Sequence, residues 1–293
     1  MRSQLTPGRP RVAPFFHERS NTWSYVVSDG AEAAIIDPAL DYDAASGRIG
    51  TTSAQVLVDH VRAQELSPRW LLETHAHADH LSASTWLKQH WPQARLAIGS
   101  GIRQVQSMLA TEYGSGADFV ADGSQFDHLF EEDETFQLGD IQARVIAVPG
   151  HTSDSVAYLV GDALFTGDSL FMPDAGSARC DFPGGDAATL YRSIRRLYDS
   201  LPDDTRVFVC HDYGPGGRAA ACETSIGEQK RGNLHVRDGV GEAEFVAMRR
   251  ARDATLSLPA LIRPALQVNL RGGALPAPGS DGVRHLKLQP DSL

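Results

Sequence analysis

Alternating apolar and polar positions divide the start of the chain into short strands and helices. The runs TWSYVVSD (22–29) and AAIIDP (33–38) are rich in β-branched and aromatic residues, and they flank a short turn that contains glycine. This pattern predicts a β-hairpin. In TSAQVLVDHVRAQEL (52–66), apolar residues recur at helical spacing behind a Thr/Ser cap, which predicts an amphipathic helix.

The following segments continue the alternation of strand and helix. RWLLETH (69–75) predicts a short buried strand, and ADHLSASTWLKQHW (78–91) predicts a helix that ends near Pro92. ARLAIG (94–99) predicts another strand. Residues 111–139 are polar, acidic and contain glycine, so they predict a long loop or hairpin insertion at the surface.

The second half repeats this pattern. Its predicted strands are QARVIAVPGH (142–151), SVAYLVGD (155–162), ALFTGDSLF (163–171) and TRVFVCHDYG (205–214), and its predicted helix is DAATLYRSIRRLYDSL (186–201), capped by an Asp. We therefore predict an α/β fold with two sheets and helices outside them. No linker interrupts it, so we expect a single domain over 1–293, with residues 1–11 flexible and 223–293 as a C-terminal extension packed on the domain.

Composition narrows the class of protein. Of 293 residues, 42% are hydrophobic and 22% are charged, which is typical of a soluble globular chain. No apolar run approaches the roughly 20 residues that span a bilayer, and the Pro-rich start lacks the apolar core of a secretory signal. We expect no membrane partner. The net charge of −10, with no Lys/Arg-rich run, argues against a nucleic-acid partner, although a metal-dependent nuclease stays open. Three widely spaced cysteines indicate a reducing, cytoplasmic setting.

Residues of metal-ligand type collect where the predicted strands end. The stretch ETHAHADH places His75, His77, Asp79 and His80 within six positions, although the whole chain has only eleven histidines. His151, Asp168 and His211 each follow another apolar run. Loops at strand ends are where functional sites collect, and imidazole and carboxylate are ligands for zinc, iron and manganese. The sequence therefore predicts a metal site at one end of the sheets; apolar flanks argue against a solvated His-rich turn.

Four segments, THAHADH, PGHT, FTGD and CHD, occur in the order of the metal signature of the metallo-β-lactamase superfamily, which this chain resembles. The resemblance implies an αββα sandwich of two mixed β-sheets flanked by helices, with the metal centre at one edge between the sheets. The further segments ARCDFPGGDAATLYRSI, HDY and GEQKRGN resemble the persulfide dioxygenases, also called sulfur dioxygenases. LFMPDAGSARCDFPGG resembles a bacterial branch of that group associated with sulfide detoxification.

The dioxygenase resemblance implies one Fe(II) per chain, held by His75, His151 and Asp168. Two histidines and one carboxylate leave coordination positions open, as in non-haem iron oxygenases. The implied reaction consumes glutathione persulfide, O2 and water and yields glutathione and sulfite. The remaining residues of ligand type would then orient ligands or hold waters; they are His77, Asp79, His80 and His211.

The same side chains can instead hold two zinc ions. In that alternative one zinc is bound by His75, His77 and His151, the other by Asp79, His80 and His211, and Asp168 bridges them. Such a pair would activate water to hydrolyse a thioester, as in the related glyoxalase II (hydroxyacylglutathione hydrolase) enzymes. A non-catalytic metal-binding or redox-sensing module is a third alternative, which only the unpaired cysteines favour.

Further candidates surround this ligand set. Arg179 and Asp181 match an Arg-x-Asp segment of the family, either as a charge pair that shapes the loop or as catalytic groups that touch substrate. Tyr213 is a candidate hydrogen-bond donor to substrate or dioxygen. By position alone, Arg218, Lys230 and Arg231 are candidates to bind glutathione carboxylates. We expect Cys180 to be a small packed residue rather than a persulfide relay, and the apolar segment LPALIRPALQVNL makes a homodimer reasonable.

Overall fold

The structure is a computed structural model that describes residues 8–113 and 119–286. Of the segment 1–11 that we expected to be flexible, residues 1–7 lie outside these ranges. The Gly8 carbonyl accepts a hydrogen bond from the Asp162 backbone N–H, and Arg11 begins the first strand. Residues 8–11 are therefore tied to the domain by backbone pairing.

Two six-stranded mixed sheets form the centre of the described residues, with a smaller three-stranded sheet beside them. The first sheet has the order β1-β2-β3-β6-β8-β9, the second β10-β11-β12-β13-β14-β15, and the small sheet β5-β4-β7. The strands are β1 Arg11–His17, β2 Thr22–Asp29, β3 Glu32–Ile36, β4 Ala39–Asp43, β5 Arg48–Gly50, β6 Ser67–Leu72, β7 Leu81–Ser82, β8 Arg95–Gly99, β9 His128–Phe130, β10 Thr135–Leu138, β11 Ile141–Ala147, β12 Val156–Val160, β13 Ala163–Phe165, β14 Arg206–Phe208 and β15 Glu223–Ser225.

Helices cover the outer face of each large sheet. The first sheet packs against α1 Thr52–Ala63, α2 Ser84–His90, α3 Ile102–Leu109 and α7 Ile262–Asn269. The second packs against α4 Ala187–Ser200, α5 Ile226–Gly232 and α6 Glu242–Asp253. Asp186 caps α4, because its carboxylate accepts a hydrogen bond from the Thr189 backbone N–H. Within the described ranges, no helix is long and apolar enough to cross a membrane.

Strand periodicity explains the layers. In β2, Tyr25 and Val27 face the second sheet, whereas Val26 faces the helices. In β13, Phe165 faces the first sheet and Leu164 faces α4. Successive strand residues point to opposite faces, so an uninterrupted apolar run is apolar on both sides and is covered on both sides. The αββα sandwich expected from the sequence is confirmed.

Two local predictions are wrong. The helix predicted over 78–91 begins only at Ser84, because Leu81 and Ser82 form β7. The His80 carbonyl, just before β7, accepts a hydrogen bond from the Asn269 side chain of α7. The surface loop or hairpin insertion predicted over 111–139 is wrong for residues 128–138. Its described part contributes β9 to the first sheet and β10 to the second, and so carries the chain between the two layers.

A parallel strand pair in each sheet positions the candidate site. In the first sheet, β3 and β6 run parallel with Ile36 opposite Leu72, so both strands end at the same edge. In the second sheet, β13 and β14 run parallel with Phe165 opposite Phe208. A bridge between Thr22 and His211 connects the sheets at this edge. The carboxyl ends of four strands therefore meet there, as ligand-bearing loops of open sheets commonly do.

Candidate metal centre

The seven residues of metal-ligand type predicted from the sequence converge at this edge. Among the described residues, four overlapping groups have all their ligand atoms within 4.8 Å of one another, and two of these groups contain the seven residues. The first group is His75, His151 and Asp168, and the second is His77, Asp79, His80 and His211. The other two add Cys210, with Asp37 and His77 or with Asp168 and His211. All of them are buried except Asp79, which is half-buried.

Asp168 lies between the two groups and contacts both. Its Oδ2 is 3.6 Å from His151 Nε2 and 3.9 Å from His75 Nε2. Its Oδ1 is 3.3 Å from Nε2 of His211, in the second group. One carboxylate thus faces two adjoining sets of ligand atoms.

His77 differs in position from the two-zinc alternative, which grouped it with His75 and His151. Its ring lies 4.0 Å from the His75 ring, but its ligand atom falls in the second group. The Asp37 carboxylate accepts a hydrogen bond from His77 Nε2 at 3.0 Å, which leaves Nδ1 as the ring nitrogen without a hydrogen-bond partner among the described residues.

The outward ring nitrogens are bonded, which leaves the inward nitrogens as ligands. His151 Nδ1 donates to the Arg179 carbonyl at 2.7 Å, and His211 Nδ1 donates to the Asn21 carbonyl at 3.2 Å. His75 Nδ1 lies 3.1 Å from the Thr74 hydroxyl. A hydrogen bond at one ring nitrogen fixes the tautomer and directs the lone pair of the other nitrogen to a metal.

Several buried ligand atoms find no hydrogen-bond partner in the described part of the chain. They are His75 Nε2, His77 Nδ1, His80 Nε2, His211 Nε2 and Asp168 Oδ1. Buried polar atoms are normally bonded, so a group of such atoms facing one another requires another partner. Nitrogen and carboxylate donors in this arrangement fit zinc, iron or manganese, and they fit one ion or two.

Burial and mutual repulsion keep His75 neutral. Burial, followed by the neighbouring histidines, holds the pKa of His75 well below its usual value, so its Nε2 lone pair is available. For His77, burial lowers the pKa, but the Asp37 carboxylate outweighs burial and raises that pKa to about 10. Asp37 thereby increases the basicity of the ring, as carboxylates bonded to metal-ligating histidines do.

Asp37 and Asp154 hold the histidine loop, which comprises residues 73–80 between β6 and β7. The sequence did not point to these two residues as part of the site. Asp37 Oδ1 accepts from the Thr74 backbone N–H at 2.7 Å, and Asp154 Oδ2 accepts from the Ala76 backbone N–H at 2.9 Å. Both residues carried a usable signal, because Asp37 directly follows β3 and Asp154 lies three residues after His151.

Glycine is required at two positions of the site. Gly150, before His151, has φ +137°, and a Cβ there would overlap the Leu190 backbone. Gly167, before Asp168, has φ +50°, and a Cβ there would lie 2.6 Å from the Thr74 hydroxyl oxygen. The PGH and TGD sequences are therefore explained by close backbone approach as well as by backbone conformation.

The loop 177–181 holds His151 and is itself held by α6. Arg179 and Asp181 form the bidentate pair that the sequence suggested, with N–O distances of 2.6 and 2.7 Å. The Cys180 backbone N–H donates to the buried Asp253 of α6 at 2.9 Å, and Asp253 pairs with the buried Arg249. The Cys180 side chain packs in this layer, and burial raises its pKa to about 12.

A cavity of about 710 Å³ opens onto the ligand groups. His151, Asp168 and Asp79 line its base, and Tyr213 and Arg179 line its sides. Phe171, Phe182 and Leu256 form apolar parts of the wall, and the exposed guanidinium groups of Arg19 and Arg252 also face it. Cavities of this size, apolar with a few polar groups, are typical of small-molecule sites.

The described residues that line this cavity do not include the three basic residues proposed from the sequence. Arg218 pairs with Asp174 and Asp212, and Lys230 pairs with Asp203. Arg231 is exposed on α5. Carboxylates neutralise the charges of Arg218 and Lys230, whereas Arg19 and Arg252, which the sequence did not indicate, line the cavity.

Comparisons with known proteins identify similar chains. A family model described as the metallo-β-lactamase superfamily matches residues 17–211. The "Beta-lactamase hydrolase-like protein" of Agrobacterium fabrum is 49% identical over 286 residues, which is 97% of this chain and 65% of that protein. The chain thus spans less than two thirds of that relative's length.

Other relatives carry different names. "Glyoxylase B2" of Dictyostelium discoideum is 45% identical over 283 residues, 96% of this chain and 97% of that protein. "Persulfide dioxygenase ETHE1, mitochondrial" of Bos taurus is 30% identical over 202 residues, 68% of this chain and 66% of that protein. The crystal structure of ETHE1 from Myxococcus xanthus has a TM-score of 0.71 and 30% identity, covering 90% of this chain and all of that one.

We predict that Gly150→Ala disrupts the metal site. A Cβ would collide with Leu190 in a conformation that L-residues rarely adopt, so the backbone must shift and carry His151 with it. Forced shifts of this kind cost about 1–3 kcal/mol of folding free energy. Thermal unfolding should show the loss of stability, and metal content after purification should fall.

Gly30→Ala is the matched control, because Gly30 also has a positive φ (+56°) but no atom within 4 Å of an added Cβ. It should lower stability slightly and leave metal content unchanged. Equal metal content in both variants would contradict the link between Gly150 and His151.

Proposed function

The chain belongs to the metallo-β-lactamase superfamily, and we propose that it is a non-haem iron persulfide dioxygenase acting in cytoplasmic sulfide detoxification. It oxidises glutathione persulfide with O2 and water to glutathione and sulfite. The observation that carries the proposal is the group of His75, His151 and Asp168, of which His151 and Asp168 line the cavity. Two histidines and one carboxylate with open positions are typical of non-haem Fe(II) oxygenases.

Bound Fe(II) would supply open coordination positions for the persulfide sulfur and for dioxygen. The chain's own residues position the reactants. His151 is fixed by the Arg179 carbonyl, and His75 is kept neutral by burial. The apolar rings of Phe171 and Phe182 limit the water beside the reacting sulfur.

The cavity also suits the rest of the substrate. Glutathione carries two carboxylates, and guanidinium groups bind carboxylates in a bidentate geometry. Arg19 and Arg252 face the cavity, and no ion pair of either side chain is seen in the part of the chain that is described. The relatives named persulfide dioxygenase support this substrate class.

A binuclear zinc hydrolase of the hydroxyacylglutathione type is the second candidate. Asp168 favours it, because its two oxygens lie 3.6 Å from His151 Nε2 and 3.3 Å from His211 Nε2, as expected of a bridging carboxylate. Relatives with hydrolase-like names favour it too. A zinc pair would activate water for attack on a thioester.

The two candidates differ in metal and in reaction. Protein purified without added metal should contain about one iron per chain, on the logic of a three-residue iron site. It should consume oxygen and release sulfite when given glutathione persulfide, as an oxygen electrode and a sulfite assay would measure. Two zinc ions per chain, together with turnover of S-lactoylglutathione, would overturn the dioxygenase proposal.

Ligand substitutions should separate the two groups. We expect Asp168→Ala to remove both iron and activity, because one of three anchors is lost. His80→Ala should retain much of the iron, because His80 belongs to the other group. Metal analysis of the two variants provides the measurement, and equal metal loss would indicate a binuclear site instead.

Arg179→Lys should weaken substrate binding more than the chemical step. Lysine cannot reproduce the bidentate pair with Asp181 or the bond to the Ser257 carbonyl, so the loop beside the cavity loosens. Melting temperature should fall and KM for the persulfide should rise, while kcat falls less.

Arg192→Lys is the control, since Arg192 makes a similar bidentate pair with Glu242 on the exposed face of α4. It should leave KM unchanged. An unchanged melting temperature and KM in Arg179→Lys, with a hundredfold fall in kcat, would instead place the guanidinium beside the reacting atoms; that loss corresponds to about 2.7 kcal/mol.

A further inference from the structure

A buried amide from the C-terminal part of the chain is bonded to the histidine loop. Asn269 is the last residue of α7 and is 4% exposed. Its Nδ2 donates to the backbone carbonyls of His77 and His80, each at 2.7 Å. Its Oδ1 accepts from the backbone N–H of Ser82 at 2.8 Å. This residue lies 58 positions beyond the end of the family match at residue 211.

These bonds replace the regular backbone pairing that the loop lacks. Residues 77–80 are neither helix nor strand, so their carbonyls have no partner in secondary structure. A buried carbonyl left without a partner costs about 1–3 kcal/mol. Asn269 bonds the backbone on both sides of Asp79, and the segment it spans carries three of the residues of ligand type.

Asn269 is itself held firmly. Its neighbours Ala265, Leu266 and Val268 are buried in the helix layer over the first sheet. The amide of Asn269 is therefore a fixed support that the loop must fit.

We propose that Asn269 is a positioning residue of the metal centre, which sets its metal affinity by fixing the backbone of residues 77–82. It acts through His77, Asp79 and His80 and does not itself touch the metal. The proposal rests on the metal centre and not on the dioxygenase reaction, so it holds for one ion or for two.

The test is Asn269→Asp in the full chain, loaded with Co(II) in place of the native metal. The aspartate keeps the size of the side chain and the acceptor for Ser82, but it replaces two N–H donors by an oxygen facing two carbonyls. We expect the Co(II) dissociation constant, measured by chelator competition, to rise about 10- to 100-fold, as for other groups that support metal ligands. The visible absorption bands of bound Co(II) should also change.

Gln106→Glu is the matched control. It makes the same amide-to-carboxylate change in a fully buried side chain, and it removes the bond to Leu270 beside Asn269 without touching the histidine loop. It should lower the melting temperature while leaving Co(II) affinity and the absorption bands unchanged.

The outcomes separate positioning from simple packing. If Asn269→Asp lowers only the melting temperature and binds Co(II) like the control, the proposal is overturned. Should the aspartate variant fail to fold, Asn269→Ser gives the same comparison with a smaller side chain that carries one donor instead of two. Absence of oxygen uptake by the wild-type protein would overturn the proposed reaction and leave this inference intact.

Discussion

This edge of the fold depends on one constraint: buried imidazoles and carboxylates must be held with their lone pairs facing one another. The ligand atoms lie within a few ångströms of each other inside the protein, where unpaired polar atoms are costly. Such a cluster cannot be held by flexible loops. Parallel strands in each sheet deliver its members to one edge. Hydrogen bonds accepted by Asp37 and by backbone carbonyls fix the rings, and one accepted by Asp154 fixes the backbone at Ala76.

Support for the cluster comes from distant parts of the chain. The loop that orients His151 is bonded to Asp253 of α6, and the histidine loop is bonded to Asn269 of α7. The buried pair of Arg249 and Asp253 is rigid because each partner is bonded to backbone as well as to the other. The residues after 211 therefore belong to the site physically, although the family match ends there.

Much of the fold and the ligand set could be predicted, because both depend on local pattern. Apolar runs such as those of β2 and β6 indicate strands covered on both faces, and His or Asp directly after a strand indicates a site. The partners of these residues could not be predicted, since Asp37 and Asn269 reach the loop only through strand order and helix packing. The same limit explains why the helix was predicted to begin at residue 78, although it begins at Ser84. Arg218 and Lys230 were predicted to bind substrate but pair with Asp212 and Asp203, because a sequence does not show which carboxylate neutralises which cation.

Complete or partial burial limits the chemical reactivity of Cys180 and Cys222. Thiolates, not thiols, attack persulfides and are oxidised by them. Burial raises the pKa of Cys180 to about 12 and that of Cys222 to about 11. At neutral pH both side chains therefore remain thiols. Cys180 and Cys222 are therefore poor nucleophiles and, on the persulfide reaction proposed above, would resist modification by the substrate.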